Sequence, residues 1–194
     1  MGKRVVVIAS GETERRALSH LVKQLETDGV SLLEVRIPPR HNALNVAMAE
    51  KLIKATWYER IAAPPDKFVI LLDVDGKMPV DVLDPFRQQL PIRLGTEISA
   101  ALQFAYAQWH LEAWFFADEQ GLRGYLGASL GNVDSSAPDQ IQNPKEHLKH
   151  LLNQRAYTAV VCEEIAKALD AGKIRQRSQS FCAFLEAMRN GLGG

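Results

Sequence analysis

Five apolar residues in a row, Phe68-Val69-Ile70-Leu71-Leu72, run straight into Asp73-Val74-Asp75-Gly76. A run this short, apolar throughout and ended by glycine, predicts a parallel strand covered on both faces. The strand then delivers two carboxylates to the edge of a sheet. Side chains alternate along a strand, so Asp73 and Asp75 are expected to point the same way. Two like charges on one face repel, and the pair is relieved by a cation between them or by full solvation. The competing reading is a plain turn, with Asp73 capping it and Asp75-Gly76 as its central pair.

The flanking segments favour an α/β chain. Arg4 to Ala9 is a second β-branched run and predicts a first buried strand, ended by Ser10-Gly11-Glu12-Thr13-Glu14. Leu18, Leu21, Val22 and Leu25 then recur at helical spacing up to Asp28-Gly29, which completes a βα unit. Val30 to Ile37 alternates as a strand before Pro38-Pro39, and Ala43 to Trp57 carries a helical stripe. Pro79 to Gln89 reads as a short helix, and the end of Ile98 to Tyr106 as a strand. Strands alternating with helices of this length predict a mainly parallel sheet flanked by helices.

The last third is helical. Asn143-Pro144-Lys145-Glu146 predicts a helix start with Asn143 as the cap. Further helices are expected over Tyr157 to Leu169 and Phe181 to Met188, with Gly131 to Gln142 a flexible surface loop.

Lys plus Arg and Asp plus Glu both number 23, so no global basic field draws in nucleic acid and any such binding needs a local patch. Cys162 and Cys182, far apart and in amphipathic patterns, read as reduced core residues. No apolar run approaches the roughly 20 residues that span a bilayer, and Met1-Gly2-Lys3-Arg4 lacks a signal-peptide core, so a cytoplasmic protein is expected.

Carboxylates at strand ends of α/β sheets suit Mg²⁺, a hard ion that takes oxygen ligands and keeps several waters. Asp73 and Asp75 meet that need, and Glu12 or Glu14 joins them if the first and central strands are neighbours. The plainer role of these glutamates is to complement a helix dipole. His110, Glu112 and Asp118 bracket an apolar block that reads as a buried helix with charged ends.

Five pieces, in order along the chain, resemble an uncharacterised bacterial family related to the Toprim domain. They are the glycine turn after the first strand, Asp73-x-Asp75, Glu112-Ala113-Trp114-Phe115-Phe116-Ala117-Asp118, Asn143-Pro144-Lys145-Glu146, and Ser180-Phe181-Cys182-Ala183-Phe184-Leu185. The likeness spans nearly the whole chain and is most specific in the Glu-Ala-Trp and Pro-Lys-Glu blocks. It implies a compact, Toprim-like α/β domain over residues 1–194, with 143–194 a helical extension packed on it.

Toprim domains occur in topoisomerases, bacterial primases and the OLD family nucleases, where acids bind Mg²⁺ for phosphoryl transfer on nucleic acid. By resemblance, Asp73 and Asp75 are ligands of Mg²⁺ or Mn²⁺, and Glu14 or Glu12 serves catalysis with Asp73. Ser10, Gly11 and Glu112 are further candidates for the site. Members of the similar family are often encoded beside an ABC- or SMC-like ATPase, which implies a nuclease acting with such a partner in phage defence. The usual Glu-Gly-x-Thr-Glu pattern has Ser10 in its first place here. That departure supports a second reading, a catalytically degenerate Toprim-derived binding or regulatory subunit. A third, hydrolysis of a small phosphate ester, rests on the Asp-x-Asp strand end alone.

Overall fold

A computed structural model describes residues 2–40, 42–127, 130, 134–153 and 155–189. Four strands, β1 (Lys3–Ile8), β2 (Val30–Arg36), β3 (Lys67–Asp73) and β4 (Leu102–Ala107), form one sheet in the order β2-β1-β3-β4. Every pairing is parallel. The expected α/β class with a parallel sheet and flanking helices is therefore what the chain adopts.

Period-two alternation sorts the sheet's side chains into two cores. Val5, Val7, Val69, Leu71, Ala105 and Ala107 belong to one, and Val6, Ile8, Phe68, Ile70, Leu72 and Leu102 to the other. Both faces are dry, which is why β1 and β3 read as continuous apolar runs rather than alternating ones. The second core is closed by α2 (Val46–Glu59) and α3 (Pro79–Ser99), through Ala49, Ile53, Leu83, Phe86, Leu90, Leu94 and Ile98.

The first core is closed by α1 (Glu12–Leu21) and by the helices of the second half. These are α4 (Glu112–Phe115), α5 (Glu119–Leu126), α6 (Pro144–Leu151), α7 (Ala159–Ala168), α8 (Ala171–Arg177) and α9 (Gln179–Arg189). Here α7 packs on α1 and α9 on β4. Trp114 is its largest buried side chain, with ring centroids 5.0 Å from Phe181 and 5.6 Å from Phe184. The Trp114 indole N–H donates to Ser180 Oγ at 2.8 Å, and Ser180 Oγ donates to Asp139 Oδ1 at 2.7 Å. Two blocks that carry the family resemblance thus meet inside the core, so part of that signature is packing.

Several local expectations are corrected. The helix expected over Pro79 to Gln89 runs on past Pro85 and Pro91 to a kink at Gly95 (φ 78°, ψ 168°), beyond which a second helical stretch reaches Ser99. Its buried stripe at three- and four-residue spacing runs from Leu83 to Ile98, and that burial offsets a proline cost of roughly 3 kcal/mol each. Asn143 adopts φ 47° and makes no side-chain cap. Instead its carbonyl accepts from Glu146 N at 2.9 Å and His147 N at 3.3 Å.

The expected flexible loop over 131–142 is anchored where it is described; residues 131–133 lie outside the described residues. Ser135, Pro138 and Ile141 are buried, and Asp139 also accepts from Ser178 Oγ at 2.8 Å and Ser180 N at 3.0 Å. The block from His110 to Asp118 keeps even its acids inside. Glu112 and Asp118 are each 2% exposed, and Asp118 accepts from Gly121 N and Asp170 N at the start of α5 and α8. Cys162 and Cys182 are both free thiols, the first buried and the second half-buried. Among the described residues no helix is long and apolar enough to cross a membrane.

At the opposite edge of the sheet, the buried Lys67 donates to the carbonyls of Ala187 (3.0 Å) and Met188 (3.3 Å), and Lys3 donates to that of Arg189. Two ammonium groups thus sit on carbonyls of the last turn of α9, the negative pole of its dipole. Burial, with the neighbouring Lys3 charge, pushes the Lys67 pKa down to about 8. An unfolded lysine keeps a pKa near roughly 10.4, so between the two values the unfolded state binds the extra proton. Stability is therefore expected to rise with pH across that window and to be lost as pH falls through about 8. Urea midpoints on either side of the window check this, since the rise is expected to vanish in Lys67→Met; an equal slope in the variant contradicts it.

Candidate metal centre

β1, β3 and β4 are adjacent and parallel, and the candidate acids lie where they end or just beyond. On β3, Asp73 continues the row of Val69 and Leu71, so it faces the side of the sheet covered by α1 and α4. Strand parity alone decides that orientation. The chain then turns, with Val74 N bonded to Ala107 O at 3.0 Å and Gly76 N to Gln108 O at 2.9 Å. Asp75 takes φ 51° and Gly76 φ 72°, so the strand has ended and Asp75 does not follow from alternation. A Cβ on Gly76 would stand 2.5 Å from the Trp109 ring, which with the positive φ reserves the position for glycine. Asp75 is instead exposed and pairs its Oδ1 with His110 Nε2 at 3.1 Å. The other ring nitrogen of His110 is buried without a hydrogen-bond partner among the described residues.

Glu14, on the first turn of α1, is 6% exposed. Its two oxygens accept from Ser10 Oγ at 3.2 Å and Thr13 Oγ1 at 2.9 Å. Gly11 lies between, where a Cβ would approach Glu14 Oε2 to 3.2 Å. The carboxylate of this half of the site thus comes from the helix, and Ser10 holds it by a hydrogen bond. Glu12 goes elsewhere. It accepts from Arg15 at 2.8 Å and Arg16 at 3.0 Å, and the Arg15 hydrogen bond foremost holds its carboxyl below the usual range.

Glu112, the first residue of α4, accepts from Tyr157 OH at 2.7 Å, and Lys145 Nζ stands 3.9 Å away. Lys145 also lies 5.9 Å from the centroid of the Tyr157 ring. Burial first, and then the Glu112 charge, push the Tyr157 pKa far above its usual value, so the phenol stays a donor. The Cys162 thiol donates to Thr13 O at 3.7 Å and is pushed up to about 12, mainly by burial. It is a packing group rather than a nucleophile.

Asp73 bears the consequence. It retains some solvent contact as a residue, yet its carboxyl is closely enclosed. Desolvation raises its pKa well above the usual carboxylate range, and the charges of Glu14, Glu112 and Asp75 raise it further, with Lys145 opposing. Three further carboxylates thus bear on Asp73, with one lysine opposing them. Among the described residues no three His, Cys, Asp or Glu side chains stand close enough together to enclose an ion. An all-protein cage is therefore not what these residues offer. The acids are all hard oxygen donors, and they fit a small divalent ion held by one or two carboxylates that keeps its other positions for water or phosphate.

Glu14, Asp75 and Glu112, all named from the sequence with Asp73, lie near enough for their charges to raise its carboxyl, with Ser10 and Gly11 as the support of Glu14. Tyr157 and Lys145 were not assigned to the site. Lys145 lay within a quoted motif, but nothing in the local pattern of Tyr157 marks it.

Residues 10–189 match the family described as a domain of unknown function, DUF4276. The chain belongs to this family. The matched stretch of the DUF4276 chain includes Ser10, Glu14, Asp73, Asp75 and Glu112. A comparison with curated proteins finds no match. Among solved structures, the C-terminal region of the Burkholderia pseudomallei OLD protein is similar at 17% identity and a TM-score of 0.48, covering 100% of each chain. The C-terminal region of the Xanthomonas campestris pv. campestris OLD protein is similar at 15% identity and a TM-score of 0.47, covering 96% of this chain and 94% of that one.

Proposed function

We propose that the chain is a Mg²⁺- or Mn²⁺-dependent nuclease component. The observation that supports this best is Asp73, an enclosed carboxylate raised by the charges of three further acids and opposed by one lysine. Such a cluster is unfavourable unless a cation or a proton occupies it. Asp73 and Asp75 would hold the ion, and Glu14 would support them from α1. When bound, the ion supplies charge to a phosphodiester and lowers the pKa of water beside it.

The chain's own groups have separable tasks. Both oxygens of Glu14 are engaged by hydroxyls, which fixes its direction and makes it an orienting ligand rather than a proton acceptor. The Tyr157 hydroxyl holds Glu112 in the same way, and the half-buried Lys145, 3.9 Å from Glu112, would meet a phosphate oxygen as a point charge. The partner ATPase and the role in phage defence are carried by the Toprim resemblance and form part of this proposal.

Ser10 favours the second reading, a binding subunit without catalysis, because it stands where the resemblance expects a glutamate. Calorimetric titration with Mn²⁺ separates the two. Binding that disappears in Asp73→Asn with Asp75→Asn supports the enzyme, together with Mg²⁺- or Mn²⁺-dependent cleavage of DNA. Cleavage that survives the double substitution refutes the site, and absence of metal binding supports the docking subunit.

A further inference from the structure

Beside the acid cluster lies a cleft of about 930 Å³ that the proposed chemistry does not use. Ser10 and Gly11 belong to its lining, and these residues also contact Glu14. The cleft therefore adjoins the acid cluster through these two residues, with Glu14 directly behind them. Its charged lining is Arg15, Arg16 and Arg40 against Glu12 alone, an excess of two positive charges in a chain whose formal net charge is +0. Arg16 is held by Glu12 and Glu163, and Arg15 by Glu12. Arg40 is exposed and makes no ion pair among the described residues. The rest of the lining is largely apolar and includes Ile37, Pro39 and Val160, the last 50% exposed.

We infer that this cleft seats an unpaired nucleic-acid strand, with Arg40 and Arg15 on phosphates next to the one at the acid cluster. This inference rests on the nuclease reading and adds to it the form of the substrate and the residues that position it. Guanidinium groups match phosphate oxygens in a bidentate way, and an arginine with no carboxylate partner gives up no ion pair when it does so. The apolar wall selects the strand type. In a duplex the base faces are stacked away, whereas an unpaired strand presents base and sugar faces to apolar side chains. The two features together fit a single strand better than a free nucleotide, which has no phosphates on both sides of a base.

The test uses a fluorescein-labelled single-stranded DNA 20-mer and fluorescence anisotropy in EDTA, so that nothing is cleaved. Wild type is expected to bind it, and Arg15→Glu with Arg40→Glu to bind roughly tenfold or more weakly, with a salt dependence shallower by about 0.7 for each phosphate the variant no longer neutralises. Arg40→Ala alone is expected to fall between the two, and both positions are exposed enough for the variants to keep the wild-type melting temperature. Unchanged binding by the double variant overturns the inference. Equal or tighter binding of the matching duplex overturns the single strand, and equally effective competition by AMP overturns the strand in favour of a nucleotide. Absence of wild-type binding overturns the cleft while leaving the Mn²⁺ titration to judge the acid cluster. Binding of the 20-mer with no metal binding does the reverse.

Discussion

Asp73→Asn is expected to lower metal-dependent cleavage by roughly 100-fold or more while making the metal-free protein more stable. Both effects come from one observation, the crowding of Asp73 by burial and by Glu14, Glu112 and Asp75. Asparagine keeps the shape and removes the charge, so the repulsion goes and so does the ligand. In wild type, Mg²⁺ or Mn²⁺ at about 100 times its dissociation constant is expected to stabilise the fold by about 2.7 kcal/mol, and in the variant to do almost nothing. The pH dependence follows from the direction of the shift. A carboxyl with a raised folded pKa binds its proton more tightly when folded, so its full contribution to stability is present below the unfolded pKa of roughly 3.9 and is lost as pH rises through the folded value. Metal-free wild type should therefore lose stability over that rise, and Asp73→Asn should lose less. Thermal melts with and without metal across this range provide the check. A variant that cleaves like wild type, or a wild type indifferent to both ions, defeats the assignment.

Trp114→Ala is expected to be the most damaging single substitution in the core. The ring is fully buried, packs on Phe181 and Phe184, and ties α4 to α9 through Ser180. Truncating a buried tryptophan costs about 3–5 kcal/mol, and Ser180 also loses a donor. For a chain of this size that corresponds to a fall in melting temperature of roughly 6–20 °C. Trp114→Phe keeps much of the apolar volume and is expected to lose well under half as much. Because α4 also carries Glu112, the alanine variant should lose metal-dependent activity at temperatures where Trp114→Phe retains it. A Trp114→Ala protein that melts like wild type would show that the two halves of this core do not depend on the ring.

Motifs that look functional in one dimension divide in three. In the Glu112 to Asp118 block, Glu112 faces the acid cluster, Trp114 holds the core, and Asp118 accepts from backbone N–H groups where α5 and α8 begin. In the turn after β1, Glu14 goes inward and Glu12 goes to its two arginines, although only two positions separate them. At a helix start that separation is about 200° around the axis, enough to send the two carboxylates to different surroundings.

The local periodicities were sufficient for the strands β1, β2 and β3, for the parallel class of the sheet, and for the face on which Asp73 stands, because side-chain alternation is a property of the backbone itself. The strand-end pattern also brought forward Asp73 and Asp75 with Glu12 or Glu14, whereas Glu112 entered only through the family resemblance. What the alternation misjudged is Asp75, whose left-handed backbone goes with the bonds of Val74 to the end of β4 and of Gly76 to Gln108 just beyond it, and with the Trp109 ring against Gly76. The length of α3 and the seating of Tyr157 and Lys145 beside Glu112 likewise depend on what those segments pack against. These were settled by contacts between residues far apart in the chain, and spacing along a sequence carries no information about which distant side chain will meet a buried carboxylate.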